Sequence, residues 1–372
     1  MPSYLKPSLN WLLVFVPAAV VLHYKLPERA LLVFGASCLA IIPLAGWMGR
    51  ATEELAERTG EAIGGLLNAA FGNAAELIIA LVAMQAGHYD IVKASLTGSI
   101  IGNLLLVLGA SFLAGGLKFK HQRYSAALAR NQTTILTLAA VALVAPMGFH
   151  YFAHSAATSG LAPGEAAPHE HDLSFAISIV LLLTYGLSLI FSLHTHKQLF
   201  VGSGSFAAVR PDAWSVKRAV GVLLVATALI AWISEFLVGS VELAAHELGM
   251  SSVFVGVIVV AIIGNAAEHS TAILMALKDR MQLSLSIAIG SSLQIALFVA
   301  PVLVLASYAL GKAGPMDLNF TPPEVIAVLV SVLIIEQICT DGESNWMEGA
   351  QLLSLYLIIA LVFYYLPVPG GH

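Results

Sequence analysis

Hydrophobic residues in this 372-residue chain do not alternate with polar ones; they run in long blocks separated by short polar punctuation. Eleven blocks can be drawn, at approximately 9–25, 29–49, 61–87, 91–116, 125–147, 173–193, 216–245, 252–277, 282–311, 323–339 and 349–366. Most are long enough to cross the roughly 30 Å of bilayer hydrocarbon as helices. The segments of about ten alternating residues that mark a membrane β-barrel are missing. The pattern predicts an all-α polytopic membrane protein with about eleven transmembrane helices. The first block, around Trp11 to His23, has the length of a signal-peptide core, but no small-residue cleavage site follows it, and it reads as a span.

Within the third block lies Gly72-Asn73-Ala74-Ala75-Glu76, which returns in the eighth as Gly264-Asn265-Ala266-Ala267-Glu268, 192 positions later. Gly98-Ser99 and Gly290-Ser291 repeat at the same offset. Five spans separate the two copies, so they cross the membrane in opposite directions. This predicts an inverted repeat: an extra N-terminal helix at 1–27, a five-helix repeat at 28–193, a cytoplasmic linker at 194–215 and a second five-helix repeat at 216–372.

Charge supports this threading. Only 10% of residues are charged and 58% are hydrophobic, against about 25% charged in soluble domains. Alternating the loops between sides puts 13 of the 17 Lys and Arg on the N-terminal side and 4 (Lys25, Arg29, Lys93, Lys312) on the other. By the positive-inside rule the N-terminus is cytoplasmic and the C-terminus external. The net charge of −5 is spread over short loops and implies no nucleic-acid partner. Cys38 and Cys339 form no disulfide framework or paired metal motif and read as packed thiols.

An ionisable residue inside a membrane reads as functional by default. Glycine permits a helix break, and a break frees carbonyl oxygens that are tolerated only against protein or a watery cavity. Two such units meeting at the midplane supply Glu76, Glu268, Asn73 and Asn265, with Gly72 and Gly264 at the breaks. Ser99, Asn103, Ser291, Ser292 and Gln294 from the next spans add further oxygens. This is a hard-donor set, suited to Ca²⁺ and lacking the sulfur that would favour a soft metal. A buried carboxyl takes up a proton and a nearby divalent cation expels it, so cation and protons compete for Glu76 and Glu268. His269 follows Glu268, whereas Leu77 follows Glu76; His269 either tunes or relays protons at that carboxylate or bonds a neighbouring helix.

Other polar features carry bland readings beside functional ones. Glu53, Glu54, Glu57 and Glu61, near the start of span 3, and Glu235, Glu242 and Glu247, in or after span 7, line cation vestibules or are solvated helix ends; Glu242 is the best pathway candidate. The stretch 150–171, with His150, His154, His169, His171, Glu165, Glu170 and Asp172, matches no closed metal site and reads as a flexible outer loop. Asp341-Gly342-Glu343-Ser344-Asn345-Trp346 is a turn with an interfacial Trp, or part of a gate.

The paired Gly-Asn-Ala-Ala-Glu motifs resemble the α-repeats of the cation/proton exchangers of the Ca²⁺/cation antiporter superfamily. Ser99-Ile100-Ile101-Gly102-Asn103, Gly290-Ser291-Ser292-Leu293-Gln294, His269 and the Asp341–Gly349 stretch are similar to that family's pattern. The resemblance covers the chain from span 2 to its end. It implies Ca²⁺/H⁺ antiport by alternating access, with Ca²⁺ as transported substrate, no cofactor, and Glu76 and Glu268 holding cation and protons in turn. It implies eleven spans as well. Ala261 stands where the family pattern expects a proline that would help break span 8. No long acidic segment joins the halves, which favours a prokaryotic-type plasma-membrane protein. A Na⁺/Ca²⁺ exchanger, or an antiporter for Mn²⁺ or a monovalent cation, stays open as the alternative; the Gly-Asn start and His269 favour protons. No His-Glu-x-x-His motif or nucleophile with a base supports an intramembrane enzyme.

Overall fold

The computed structural model describes residues 9–59, 67, 71–157, 166–196, 214–312 and 314–366. Nearly all of them are helical, as the unbroken apolar blocks predict. In chain order the helices are α1 (Leu9–Lys25), α2 (Ala30–Thr59), α3 (Ala74–Ala86), α4 (Tyr89–Lys118), α5 (Ala126–Ala157), α6 (Ala166–Thr195), α7 (Val216–Glu247), α8 (Ser252–Gly264 and Ala266–Ala276), α9 (Met281–Leu310), α10 (Pro322–Ile338) and α11 (Trp346–Tyr365). Among the described residues, seven helices are long and apolar enough to cross a membrane, and eight if the two bent pieces of α8 count as one span.

Helices α4 and α9 form the centre, with 67% and 50% of their apolar windows buried, whereas α5, α6 and α11 bury 22–28% and expose the rest. In lipid that exposure costs nothing, because hydrocarbon solvates leucine as well as a protein core does. Central helices approach closely: a Cβ at Gly98 of α4 would lie 2.0 Å from the Val257 carbonyl oxygen of α8, and one at Gly256 of α8 would lie 2.6 Å from the Ala94 Cβ.

Several boundaries in the two halves fall 192 positions apart. Helices α4 and α9 start at Tyr89 and Met281 and end at Lys118 and Leu310. Each contains one π-helical turn, Gly102–Val107 and Ile295–Val299. The turns that enter them place Gly87 and Asp279 in the left-handed region, at φ 94° and 57°. Asp279 is the only non-glycine residue there among those described. Its side chain accepts from Gln122 Nε2 at 2.9 Å, which ties down a conformation that is otherwise unfavourable away from glycine.

The structure corrects several local expectations. Helix α2 runs ten residues beyond its apolar block, because Arg50–Arg58 is rich in helix formers. Glu53, Glu54 and Glu57 therefore sit on the last turns of α2 rather than at the start of the third span. Glu61 lies outside the described residues. Residues 150–157 and 166–171 are helical, extending α5 and α6, and are not loop; His150 Nδ1 meets Glu170 Oε1 at 2.9 Å. The His154 side chain and Glu165 lie outside the described residues, as does most of the 194–215 linker. One small antiparallel pair departs from the all-α reading: Gln122–Arg123 with Glu343–Ser344, which joins the α4–α5 and α10–α11 turns. It is closed by Arg123 Nε to Glu343 Oε1 at 3.1 Å. Trp346 is half exposed in the first turn of α11, where Asn345 and Glu348 form a capping box.

Candidate ion-binding site

Both motifs sit where a helix begins. Helix α8 bends by 62° between Gly264 and Ala266. Without a proline at 261, the break falls at Gly264-Asn265, preceded by a π-helical turn at Val255–Val260. The Ala261 carbonyl accepts from Asn265 N at 3.3 Å and from its side-chain Nδ2 at 2.9 Å. The asparagine side chain thus satisfies backbone that the bend would strand. Helix α3 starts after Gly72-Asn73 in the same way. Glu76 and Glu268 then occupy the third position of their helices, where the macrodipole and free N–H groups favour negative charge.

The two halves exchange contacts across the site. A Cβ at Gly264 would lie 3.4 Å from Glu76 Cγ and Oε1, so the first carboxylate rests on the break of the second motif. Asn73 donates to Gln294 Oε1 at 2.6 Å and accepts from Ser291 Oγ at 2.9 Å, and Ser291 Oγ accepts from Asn103 Nδ2 at 3.0 Å. Asn265 donates to Ser99 Oγ at 2.9 Å. Its own Oδ1 is buried without a hydrogen-bond partner among the described residues, as is Glu268 Oε2. Buried oxygens left without a donor suit a cation. Among the described residues, no three His, Cys, Asp or Glu side chains gather as a metal cluster. The donor set is therefore two carboxylates with amide and hydroxyl oxygens, a weaker cage that suits a passing ion better than a resident one.

Glu76 and Glu268 are close enough to repel each other, and Glu53 acts electrostatically on Glu268. All three line one cavity of about 560 Å³, which reaches from Gly72, Gly264 and Ser291 along α2 to the exposed Glu57. A second space that borders Glu76, bounded by Ser99, Gly264 and Val260, is about 10 Å³. That is scarcely room for one water.

Of the sequence candidates, Gly72, Glu76, Gly264, Glu268, Ser291 and Gln294 line the large cavity. Asn73, Asn265, Asn103 and Ser99 bond directly to one another or to these. Ser292 turns away and bonds the Ala288 carbonyl of its own helix. His269 does not line the cavity, and its buried Nε2 has no hydrogen-bond partner among the described residues. Glu242 stands apart: it is mostly exposed near the end of α7, 3.0 Å from His88 Nδ1 in the turn before α4. Sequence reasoning missed Ser286, which lines the cavity one helical turn before Gly290. Leu283, Ser286, Ile287, Gly290, Ser291 and Gln294 recur at helical spacing, so that face was readable.

The sodium/calcium exchanger protein family profile matches residues 29–194 and 218–365. The chain belongs to that family. It is a secondary transporter rather than an enzyme. This family member is 45% identical over 370 residues to a Ca²⁺/H⁺ antiporter of Aphanothece halophytica, covering 96% of both chains. It is 46% identical to the Ca²⁺/H⁺ antiporter ChaA of Bacillus subtilis, covering 94% of this chain and 97% of that one. Its structure is similar to that of native YfkE, with a TM-score of 0.80 and 42% identity over 96% of this chain and all of that one.

Proposed function

We propose that the chain exchanges cytoplasmic Ca²⁺ for external H⁺ by alternating access, with Glu76 and Glu268 holding the cation and the protons in turn. The observation that carries this is that both motif carboxylates line one cavity of about 560 Å³, while the further space bordering Glu76 among the described residues is only about 10 Å³. A channel would need a path on both sides. The full-length Ca²⁺/H⁺ antiporter relatives support the choice of ions.

The chain crosses the membrane eleven times in this reading, as an extra helix followed by two inverted five-helix units. The 192-residue offset shared by the motifs and by the α4 and α9 boundaries, with a π-turn in each of those helices, supports that arrangement. The N-terminus is cytoplasmic in a prokaryotic-type plasma membrane. The large cavity ends among Arg50, Glu53 and Glu57, on the Lys- and Arg-rich side, so this conformation faces the cytoplasm. Two carboxylates brought together out of water cost several kcal/mol each unless compensated, so they exchange one charge partner for another and do not stand empty. Asn73, Asn265 and Gln294 complete the oxygen cage, and His269 tunes Glu268 from behind.

Cation-driven proton movement in proteoliposomes containing a pH dye tests this, with Ca²⁺, Mn²⁺, Na⁺ and K⁺ compared. Ca²⁺ is expected to move protons in the wild type and not in Glu76→Gln or Glu268→Gln. Full proton-coupled Ca²⁺ flux in either variant refutes the assignment, and a response to Na⁺ alone moves the coupling to the Na⁺/Ca²⁺ alternative.

A further inference from the structure

Helices α1, α2 and α7 enclose a second cavity, distinct from the ion site and almost wholly apolar, of about 520 Å³. Leu13, Val16 and Pro17 form one wall and Leu44 and Trp47 another. The floor runs along α7 from Arg218 to Leu229. At 1.5 Å rise per residue that floor is roughly 16 Å long, most of the length of a lipid acyl chain.

Its only charged lining residue, Arg218, stands at one end. The Arg218 guanidinium lies 4.6 Å above the Trp214 ring and that of Arg50 also lies 4.6 Å from it. Stacking uses a guanidinium's face and leaves its edge of N–H donors for a phosphate. The nearby carboxylate, Glu54, is engaged: it accepts from Trp214 N at 2.8 Å and faces Arg50 at 3.8 Å. Lys217 is exposed beside Arg218 and adds a second positive charge there. Trp47, whose Nε1 donates to Asn10 at 2.8 Å, sits at the rim as an interfacial tryptophan does.

We propose that this groove binds one anionic glycerophospholipid, its phosphate on the edge of Arg218 and one acyl chain along α7 between α1 and α2. A water-soluble phosphate would leave the apolar floor unused, and a zwitterionic lipid would gain less from Arg218.

Native mass spectrometry of the full chain, offered equal phosphatidylglycerol and phosphatidylcholine, tests it. The wild type is expected to retain phosphatidylglycerol in preference. Arg218→Gln, at an exposed position, lowers that preference roughly fivefold. Gly221 lines the groove and a Cβ there meets nothing within 4 Å, so Gly221→Phe has room to start into the groove and is expected to abolish retention of both lipids. Equal retention of the two lipids by the wild type overturns the proposal. So does unchanged retention in Gly221→Phe with an unshifted melting temperature, which places the lipid elsewhere. Glycerol 3-phosphate binding as well as the lipid does would make this a plain phosphate site. No retained lipid at all would overturn the proposal.

Discussion

Gly98 and Gly290 occupy equivalent places on α4 and α9 but meet opposite surroundings. A Cβ at Gly98 falls 2.0 Å from Val257 O and 2.5 Å from Val257 C and Cα, whereas one at Gly290 meets nothing within 4 Å. Ordinary contact begins at 3.4 Å, and the obstacle is backbone, so α4 and α8 must part by more than 1 Å to admit Gly98→Ala. Overpacking of this kind costs about 2 kcal/mol. If α4 and α8 separate there when the opposite side opens, the cost falls on the cytoplasm-facing state alone and tilts the equilibrium away from it by about 30-fold. The assay is modification of a cysteine placed at Ser286, on the cavity wall, by an impermeant maleimide from the cytoplasmic side. The native Cys38 and Cys339 are 5% and 2% exposed and leave little background. Gly98→Ala is expected to slow labelling at least several-fold in folded protein. Gly290→Ala leaves labelling unchanged and slows turnover, because its methyl group stands where the opposite half must close. Equal labelling of Gly98→Ala and wild type, with both folded, would refute the two-state reading of this contact.

Competition between protons and cation gives a direction with pH. Carboxylates must shed protons to bind Ca²⁺, so apparent affinity rises as pH rises through their titration, with a limiting slope of about two per pH unit for two displaced protons. Calcium titrations across pH on protein in detergent read that slope, and a pH-independent affinity would contradict shared occupancy. Asn103→Ala removes one end of the chain through Ser291 and Asn73 to Gln294 without touching the cavity. Losing about 1 kcal/mol of positioning raises the Ca²⁺ KM roughly fivefold at nearly unchanged maximal rate, as measured in everted vesicles. The exposed His88–Glu242 pair contributes at most about 1 kcal/mol, so Glu242→Gln changes turnover little. A short, reducible thiol-to-thiol crosslinker between His88→Cys and Glu242→Cys is expected to arrest transport until reduced, because it ties α7 to the turn before α4.

The apolar blocks reported the helices faithfully because a membrane span has nowhere else to satisfy its backbone. The break of α8 was legible in Gly264-Asn265 for the same reason. Ala261 stands in place of the expected proline, and the Asn265 side chain, donating to the Ala261 carbonyl, accompanies the break there instead. The acidic run at 53–57 was assigned to the wrong helix because hydropathy stops where lipid stops, while helix propensity carries α2 onward. The strand pair at Gln122–Arg123 and Glu343–Ser344 is two residues long on each side, below any periodic signal. Glu242, the pathway candidate on α7, pairs with His88 in the turn before α4, a contact between residues far apart in sequence. Bonds such as Ser291 to Asn73 join residues 218 apart and depend on how the halves dock, which no local pattern records.

Glu76 lies against Gly264, a residue of the other half. Neither half holds a finished site: each contributes one carboxylate, and that of the first rests on the bare backbone of the second. If the two halves descend from one duplicated segment, as the proposed inverted repeat implies, an isolated half would have to pair with an oppositely oriented copy before any ion could be held. The hydrogen bonds that cross between the halves, Ser291 with Asn73 and Asn265 with Ser99, tie such positions together, so each pair is expected to be inherited as a couple across relatives whose remaining residues differ freely.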